Sequence, residues 1–357
     1  MAGIVGYGTF VPQCRIAVEE IFDMWPYPYP PDSIKVLFGL IERAVNRQDE
    51  DPVTMATDAV AAAMEMAGIG RGEVEALYFG SFTNPYVTKS SGITVAEVAG
   101  LSSEIRCADI QFGGKSGTTA LDIVLAQVMS GRISYGIAIG SDSVSKHCRP
   151  NDAMEFASGA GAVALIIGNG RSICDIEEDF SSYNTDTADF FRVDGDRYLK
   201  RGFAEEEEFV GYEDHVKKAV SLYFEKTHTG VADYRYAALS QLQTRRTYAV
   251  GEALGFDREA LDPGMLAHRI GYAGSASPLL GLCAILDKAA PGDRILVASY
   301  GYGAGCDVFS VKVRPEIEAA RERRKNYPTL QTLLDDKIMV DYKTYAKMER
   351  KIIQEYD

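Results

Sequence analysis

Cysteine and positive charge are scarce in this chain and long apolar runs are missing, and each shortage removes a class of function. The six cysteines are scattered and none stands in a Cys-x-x-Cys pair. Neither a disulfide framework nor a zinc site is therefore expected, and the chain reads as one for a reducing cytoplasm. Lys and Arg number 37 against 51 Asp and Glu, a net charge of −14. That balance argues against nucleic acid and against an anionic membrane surface as partners. No apolar run approaches the roughly 18–20 residues that span a bilayer. The first residues, MAGIVGYGTFVP, lack the basic start and long apolar core of a signal peptide. Neither a Walker pattern nor a Gly-x-Gly-x-x-Gly turn after a first strand is present, so no phosphate loop is expected and no cofactor is implied. The acidic run Glu205–Glu208 reads as a solvated loop or helix start rather than a docking site.

What remains is an ordinary globular composition. Apolar residues make up 46% of a 357-residue chain, enough core for one large or two fused domains of about 150–200 residues each. The organising stretch is Ile105–Asp142, IRCADIQFGGKSGTTALDIVLAQVMSGRISYGIAIGSD. It reads as strand, glycine-cornered turn, helix, strand. Gly113–Gly117 turns the backbone with little crowding. Ala120, Leu121, Val124, Leu125 and Val128 follow at helical spacing, Gly131 ends the helix, and Tyr135–Ile139 is an apolar strand. Such a corner is where many α/β enzymes hold a nucleophile, yet here its only hydroxyl is Ser116 and it holds no thiol.

Elsewhere, Gly3–Phe10, Val74–Gly80, Ala162–Ile167, Tyr236–Leu239, Arg294–Ser299 and Val308–Val313 read as strands. Helices are expected within Val11–Met24 and over Thr54–Ala67, Tyr212–Lys226, Thr247–Leu254 and Leu279–Lys288. Trp25–Pro31 is a stiff proline-rich loop. The tail from Glu316 reads as charged helix on the surface. Shifting the organising stretch by 161 positions places Leu121 on Leu282, Val124 on Ile285, Leu125 on Leu286, Gly131 on Gly292 and Gly140 on Gly301. The same order of turn, helix, glycine and strand recurs, which indicates two similar halves with sheets buried between helices.

Two related halves, the small-residue corner, GSASPLLGL and SYGYGAGCDVF together resemble the thiolase superfamily. Within it the chain looks most like the HMG-CoA synthase branch, over nearly its whole length, including DDKIMVDYKTYAKM near its end. The resemblance implies an α/β thiolase fold, two similar halves forming a five-layered αβαβα sandwich. It divides the chain into an N-terminal half (1–170), a surface excursion and connecting helix (171–235), a C-terminal half (236–315) and a tail (316–357). It also implies CoA thioester chemistry and a homodimer core formed through the central sheets. Catalysis in that branch rests on a Cys that takes an acetyl group, a His that orients the acceptor and a Glu that moves a proton.

Carried over position by position, all three groups are missing. The corner Phe112-Gly113-Gly114-Lys115-Ser116-Gly117-Thr118 puts Gly114 where the resemblance places the thiol. Gly80-Ser81-Phe82-Thr83-Asn84-Pro85 puts Phe82 in place of the Glu. Ala238-Leu239-Ser240-Gln241 puts Ser240 in place of the His, and Tyr272 stands where an Asn would follow Gly271. Glycine has nothing to acylate, Phe cannot transfer a proton, and Ser has no pKa near neutrality. Phe82, Gly114 and Ser240 are thus expected to be vestigial, beside a pocket of Lys115, Ser116, Tyr272 and Cys306, with no catalytic residue and no metal.

Other groups offer weak substitutes. Cys107 sits in a strand and reads as a packing residue. Cys306 follows the second glycine corner and reads as a buried thiol. His147-Cys148 are adjacent and would not face each other. His215 and His228 read as surface histidines and His268 as structural. A Lys115–Ser116 pair is disfavoured because Ser at a helix start caps it. The run CADIQFGGKSGT further resembles the HMG-CoA-synthase-like subunits of bacterial monoacetylphloroglucinol (2,4-diacetylphloroglucinol) acetyltransferases. The expectation is therefore a pseudoenzyme subunit of an acyltransferase assembly that moves acetyl groups on acylphloroglucinol-type phenols. Its partners would be a thiolase-like catalytic subunit and a small OB-fold/zinc-ribbon subunit, facing the excursion and the Trp25 loop. The alternative is an active condensing enzyme on CoA thioesters, of the HMG-CoA synthase or 3-oxoacyl-ACP synthase III kind, with Cys306 or Ser116 as displaced nucleophile. A third reading is a homodimer that binds acyl-CoA as a sensor without turnover.

Overall fold

The computed structural model describes residues 2–25, 30, 32–177, 180–202 and 210–352. The acidic run Glu205–Glu208 and most of the Trp25–Pro31 loop lie outside the described residues. Among the described residues, ten strands form the main sheet. They are β1 (Ala2–Phe10), β2 (Val74–Gly80), β3 (Arg106–Ile110), β4 (Tyr135–Ser143), β5 (Ala160–Asn169), β6 (Cys174–Ile176), β7 (Ser181–Asn184), β8 (Tyr236–Leu239), β9 (Arg294–Gly301) and β10 (Gly305–Val313). The order is β8-β9-β10-β6-β1-β5-β4-β2-β3, with β7 on β10. Pairings are parallel where a helix returns the chain (β2 with β3 and β4, β8 with β9) and antiparallel elsewhere.

Six helices matter to the site: α1 (Pro52–Ala67), α2 (Ser91–Val98), α3 (Ser116–Met129), α4 (Val210–Thr227), α5 (Thr244–Leu254) and α6 (Ser277–Leu286). Helix α1 packs on β1, β4 and β5, and α3 covers β2, β4 and β5. Helix α6 lies on β8 and β9 and also reaches β1 and β5, while α4 covers β9 and β10 from outside. Helices therefore cover this sheet, α1 and α3 in the N-terminal half and α4 and α6 in the C-terminal half. The close fit of α1 on β1 follows from glycine, since a Cβ on Gly8 would lie 2.0 Å from the Ala59 carbonyl oxygen. Asp51 caps α1 through the Val53 and Thr54 nitrogens, Pro52 opens it, and Gly68 ends it at φ 65°.

The repeat holds in space. Ser116 and Ser277 are the first residues of α3 and α6, and they are 161 positions apart, the same shift that aligns the sequences. Gly131 and Gly292, after those helices, both take positive φ, 70° and 96°. The segment expected as a surface excursion begins inside the sheet. Cys174 is fully buried and β6 pairs with both β1 and β10, joining the two halves. Residues Cys14–Ala17, expected within a helical stretch, form a short strand paired with Glu42–Ala44, and the helix is only Val18–Phe22.

The tail is on the surface only in part: residues 316–341 are mostly exposed, and the segment after them turns inward. Helix Tyr342–Met348 buries Tyr345 and Ala346 completely. Tyr345 lies under the Arg43 guanidinium, 4.5 Å from ring centroid to Cζ, and both Tyr342 and Tyr345 donate to Glu155 Oε1, at 2.9 and 3.0 Å. Glu349, just past the helix, is also buried and accepts from the Asn46 nitrogen at 3.2 Å and the Ser145 hydroxyl at 2.5 Å. Charge in this segment therefore meets partners from the N-terminal half rather than water. Replacing Tyr345 by Ala should cost about 3–5 kcal/mol, as expected for a fully buried ring. Urea denaturation checks this, and a loss below about 1 kcal/mol would return the tail to the surface.

Candidate functional site

The corner between β3 and α3 is closed by the second half. Gly114 has φ 95°, a backbone region that favours glycine. A Cβ there would lie 2.2 Å from the Tyr272 hydroxyl oxygen and 2.8 Å from the Tyr300 carbonyl oxygen. Tyr272 therefore stands where a side chain at the corner would begin. It is 1% exposed, and among the described residues its hydroxyl has no partner in hydrogen-bond geometry. Burial, then the charge of Asp142, hold that phenol well above its ordinary pKa, and Tyr302 eases its ionisation only in part. The Tyr302 ring lies edge-on to Tyr272 at 5.7 Å and to Phe82 at 6.5 Å.

The three positions expected to be vestigial converge on this place. Ser240 is fully buried, and its hydroxyl accepts from the Tyr300 nitrogen at 2.8 Å. It holds the strand whose carbonyl faces Gly114. Phe82 is half-buried, with its nitrogen on Asp142 Oδ1 at 3.0 Å. It lines a cavity of about 540 Å³ together with Asn84, Cys107, Asp109, Gln111 and Arg192. From that cavity the rings run inward in series, Phe82 against Tyr302 and Tyr302 against Tyr272.

The substitute nucleophiles are not activated. Ser116 does not cap α3; its hydroxyl shares a 2.6 Å hydrogen bond with Ser275 and is fully buried. Lys115 donates to Asp307 Oδ1 at 2.7 Å, so no Lys–Ser pair forms. Cys306 is fully buried on β10, and desolvation, then the charge of Asp307, push its thiol well up. Cys107 is half-buried at the cavity wall, and burial pushes its thiol to about 11. His147 and Cys148 point apart, His147 Nδ1 to the Arg197 carbonyl at 2.9 Å and Cys148 to the Ser158 hydroxyl at 2.8 Å.

His215, expected at the surface, is buried between the Gly211 carbonyl at 2.6 Å and the Thr185 hydroxyl at 2.8 Å. Its helix α4 is covered there by β7, a polar strand in which Ser181 is buried while Ser182 and Asn184 stay exposed. His268 is half-buried, and burial, then Arg269, lower its pKa. Trp25 packs edge-on against Tyr342 at 6.1 Å and so covers its own chain. Four residues of the site escape a reading of the sequence: Asp142, Asp189, Tyr300 and Tyr302. Tyr300 donates to Asp189, which also accepts from the Gly303 nitrogen at 2.9 Å. The alternation of tyrosine and glycine in SYGYG is the one signal for them. Among the described residues, no group of three or more His, Cys, Asp or Glu is placed to hold a metal ion, and no helix is long and apolar enough to cross a membrane.

Residues 41–164 match the family model described as Thiolase, N-terminal domain. The hydroxymethylglutaryl-CoA synthase of Methanobrevibacter smithii is 40% identical over 357 residues, covering 99% of each chain. That of Methanopyrus kandleri is 38% identical over 353 residues, 98% of this chain and 97% of the relative. The chain belongs to the hydroxymethylglutaryl-CoA synthase family. A solved structure, MvaS in complex with 3-hydroxy-3-methylglutaryl coenzyme A, aligns with a TM-score of 0.88 at 19% identity, over 99% of this chain and 92% of that one. The fold is thus the thiolase fold.

Membership in the hydroxymethylglutaryl-CoA synthase family corrects the expectation of a pseudoenzyme subunit. The two relatives match end to end and are synthases by name, not subunits of an acetyltransferase. The thiolase-like and OB-fold/zinc-ribbon partners fall with that expectation, since they rested on the subunit resemblance alone. Three missing side chains do not by themselves mean missing chemistry, and whole-length kinship with synthases favours the condensing-enzyme alternative.

Two outcomes test the site's geometry. Gly114→Ala should destabilise by about 2–4 kcal/mol through strain at positive φ and collision with Tyr272. Adding Tyr272→Phe should recover part of the loss, and urea denaturation of both variants is the check. Burial, opposed by the Arg197 carbonyl, lowers the His147 pKa from 6.5 to about 4. The folded state then binds fewer protons than the unfolded one between these values, so stability should fall as pH drops from 6.5 to about 4. His147→Gln should flatten that part of the stability–pH curve.

Proposed function

We propose that this chain is a condensing enzyme of the hydroxymethylglutaryl-CoA synthase type, acting on CoA thioesters. The observation that carries the reading is kinship at 40% identity over the full chain with a protein of that name. The six-carbon acyl group in that name divides into a two-carbon and a four-carbon unit, so the substrates are an acetyl and an acetoacetyl thioester. Gly114 offers nothing to acylate, and Ser116 and Cys306 are buried without an activating base. The reaction therefore proceeds without an acyl-enzyme. Water takes a proton from the acetyl methyl, and the electron pair of that C–H bond forms the new bond to the ketone carbon of the acetoacetyl thioester. The ketone oxygen gains a proton, and water releases one CoA as the free thiol.

The test is to incubate the purified chain with acetyl-CoA and acetoacetyl-CoA and to follow hydroxymethylglutaryl-CoA and free CoA by mass spectrometry. Product should form, and intact-mass measurement after acetyl-CoA alone should show no adduct. Absence of product would reject the synthase reading. A stoichiometric acetyl adduct would reject the route without an acyl-enzyme.

A further inference from the structure

We propose that the Tyr272 hydroxyl is the hydrogen-bond donor to the substrate oxygen on which negative charge develops at the Gly114 corner. The inference rests on the condensing-enzyme reading and names the residue that replaces side chains the corner lacks. Its first support is position. The hydroxyl oxygen lies 2.2 Å from where a Cβ on Gly114 would be, at the start of the 14-residue helix α3. Only glycine at 114 leaves that space to the phenol.

The second support is an unmet hydrogen bond. Tyr272 is buried, and among the described residues its hydroxyl has no partner in hydrogen-bond geometry. Such a group has lost its hydration, and the neighbouring Tyr302 replaces it only in part. A thioester or ketone oxygen arriving at the corner would supply the missing acceptor. The third support is rigidity. The Tyr272 nitrogen donates to the Ala157 carbonyl at 2.6 Å, and its own carbonyl accepts from the Gly159 nitrogen at 2.8 Å. Arg43, stacked on Tyr345, donates to the intervening Ser158 carbonyl at 3.2 Å. A donor held this way needs no reorganisation when charge appears on the substrate.

Protonation fits the role. Burial keeps the phenol protonated at neutral pH, so it donates a hydrogen bond and serves neither as base nor as nucleophile. No bond to hydrogen is broken in this step; the phenol stabilises the charge while the carbon–carbon bond forms.

A plain packing role and a donor role predict opposite combinations for Tyr272→Phe. If the phenol is the donor, kcat should fall about 10²–10³-fold with KM little changed. The melting temperature should hold or rise, because the variant loses an unpaired buried hydroxyl. Infrared difference spectra of carbonyl-labelled acetyl-CoA bound to the wild-type chain should show the thioester band at lower frequency than in solution, and the shift should vanish in Tyr272→Phe. A variant with unchanged kcat, or a shift that survives in it, would overturn the proposal. So would a wild-type chain that shows no shifted band. The infrared result needs no turnover, so it is read separately from the product assay that judges the synthase reading.

Discussion

Asp142 is the carboxylate on which the site's geometry depends. It is fully buried near the end of β4 and accepts five hydrogen bonds. They come from the Ser81 hydroxyl at 2.8 Å, the Phe82 and Thr83 nitrogens at 3.0 Å each, the Thr83 hydroxyl at 2.6 Å and the Ser275 nitrogen at 2.7 Å. Burial pushes its pKa up, and these donors pull it back. The loop after β2 and the loop before α6 thereby meet on one group, which sets where Phe82 and Tyr272 stand. Gly274, at φ 58°, is what lets the second loop approach: a Cβ there would lie 2.4 Å from Asp142 Oδ2.

Lys115 and Asp307 make the second tie between the halves. The pair is buried, and Asp307 also accepts from the Thr118 hydroxyl at 3.0 Å and the Ser182 hydroxyl at 2.7 Å. A buried ion pair is weak grounds for stability, because desolvation offsets most of its attraction. Its contribution here is orientation. It fixes the residue before α3 against β10, so the corner cannot drift from Tyr300 and Tyr302.

Much of this arrangement is legible in the sequence because burial is written as periodicity. Val74–Gly80 and Tyr236–Leu239 are strands with the bounds their apolar runs suggest. The glycines that recur at one shift, Gly131 and Gly292, follow the equivalent helices at positive φ. Legibility fails where a polar residue is buried against a distant partner, as with His215. It fails again where a charged segment folds inward, as with Glu349 and Lys351. Composition describes a segment's average, whereas a buried carboxylate depends on donors from elsewhere in the chain. The same limit hides Asp142: nothing near Gly140-Ser141-Asp142 shows that its donors lie 61 positions before it and 133 after.

Gly114, Phe82 and Ser240 do stand at one place, and none can do the task that the resemblance assigns to a thiol, a carboxylate or an imidazole. Loss of the usual groups excludes one route through the reaction; it does not by itself empty the corner. Gly114 and Tyr272 are better understood as a pair than as two separate losses. The glycine's positive φ and missing Cβ make room, and the tyrosine occupies that room with a neutral donor. Ser240 then has a task of its own, holding the Tyr300 nitrogen so that the Tyr300 carbonyl closes the other side of Gly114. The Asp142 carboxylate and the Lys115–Asp307 pair, both satisfied within the chain, hold the two loops and the start of α3 in place around that phenol.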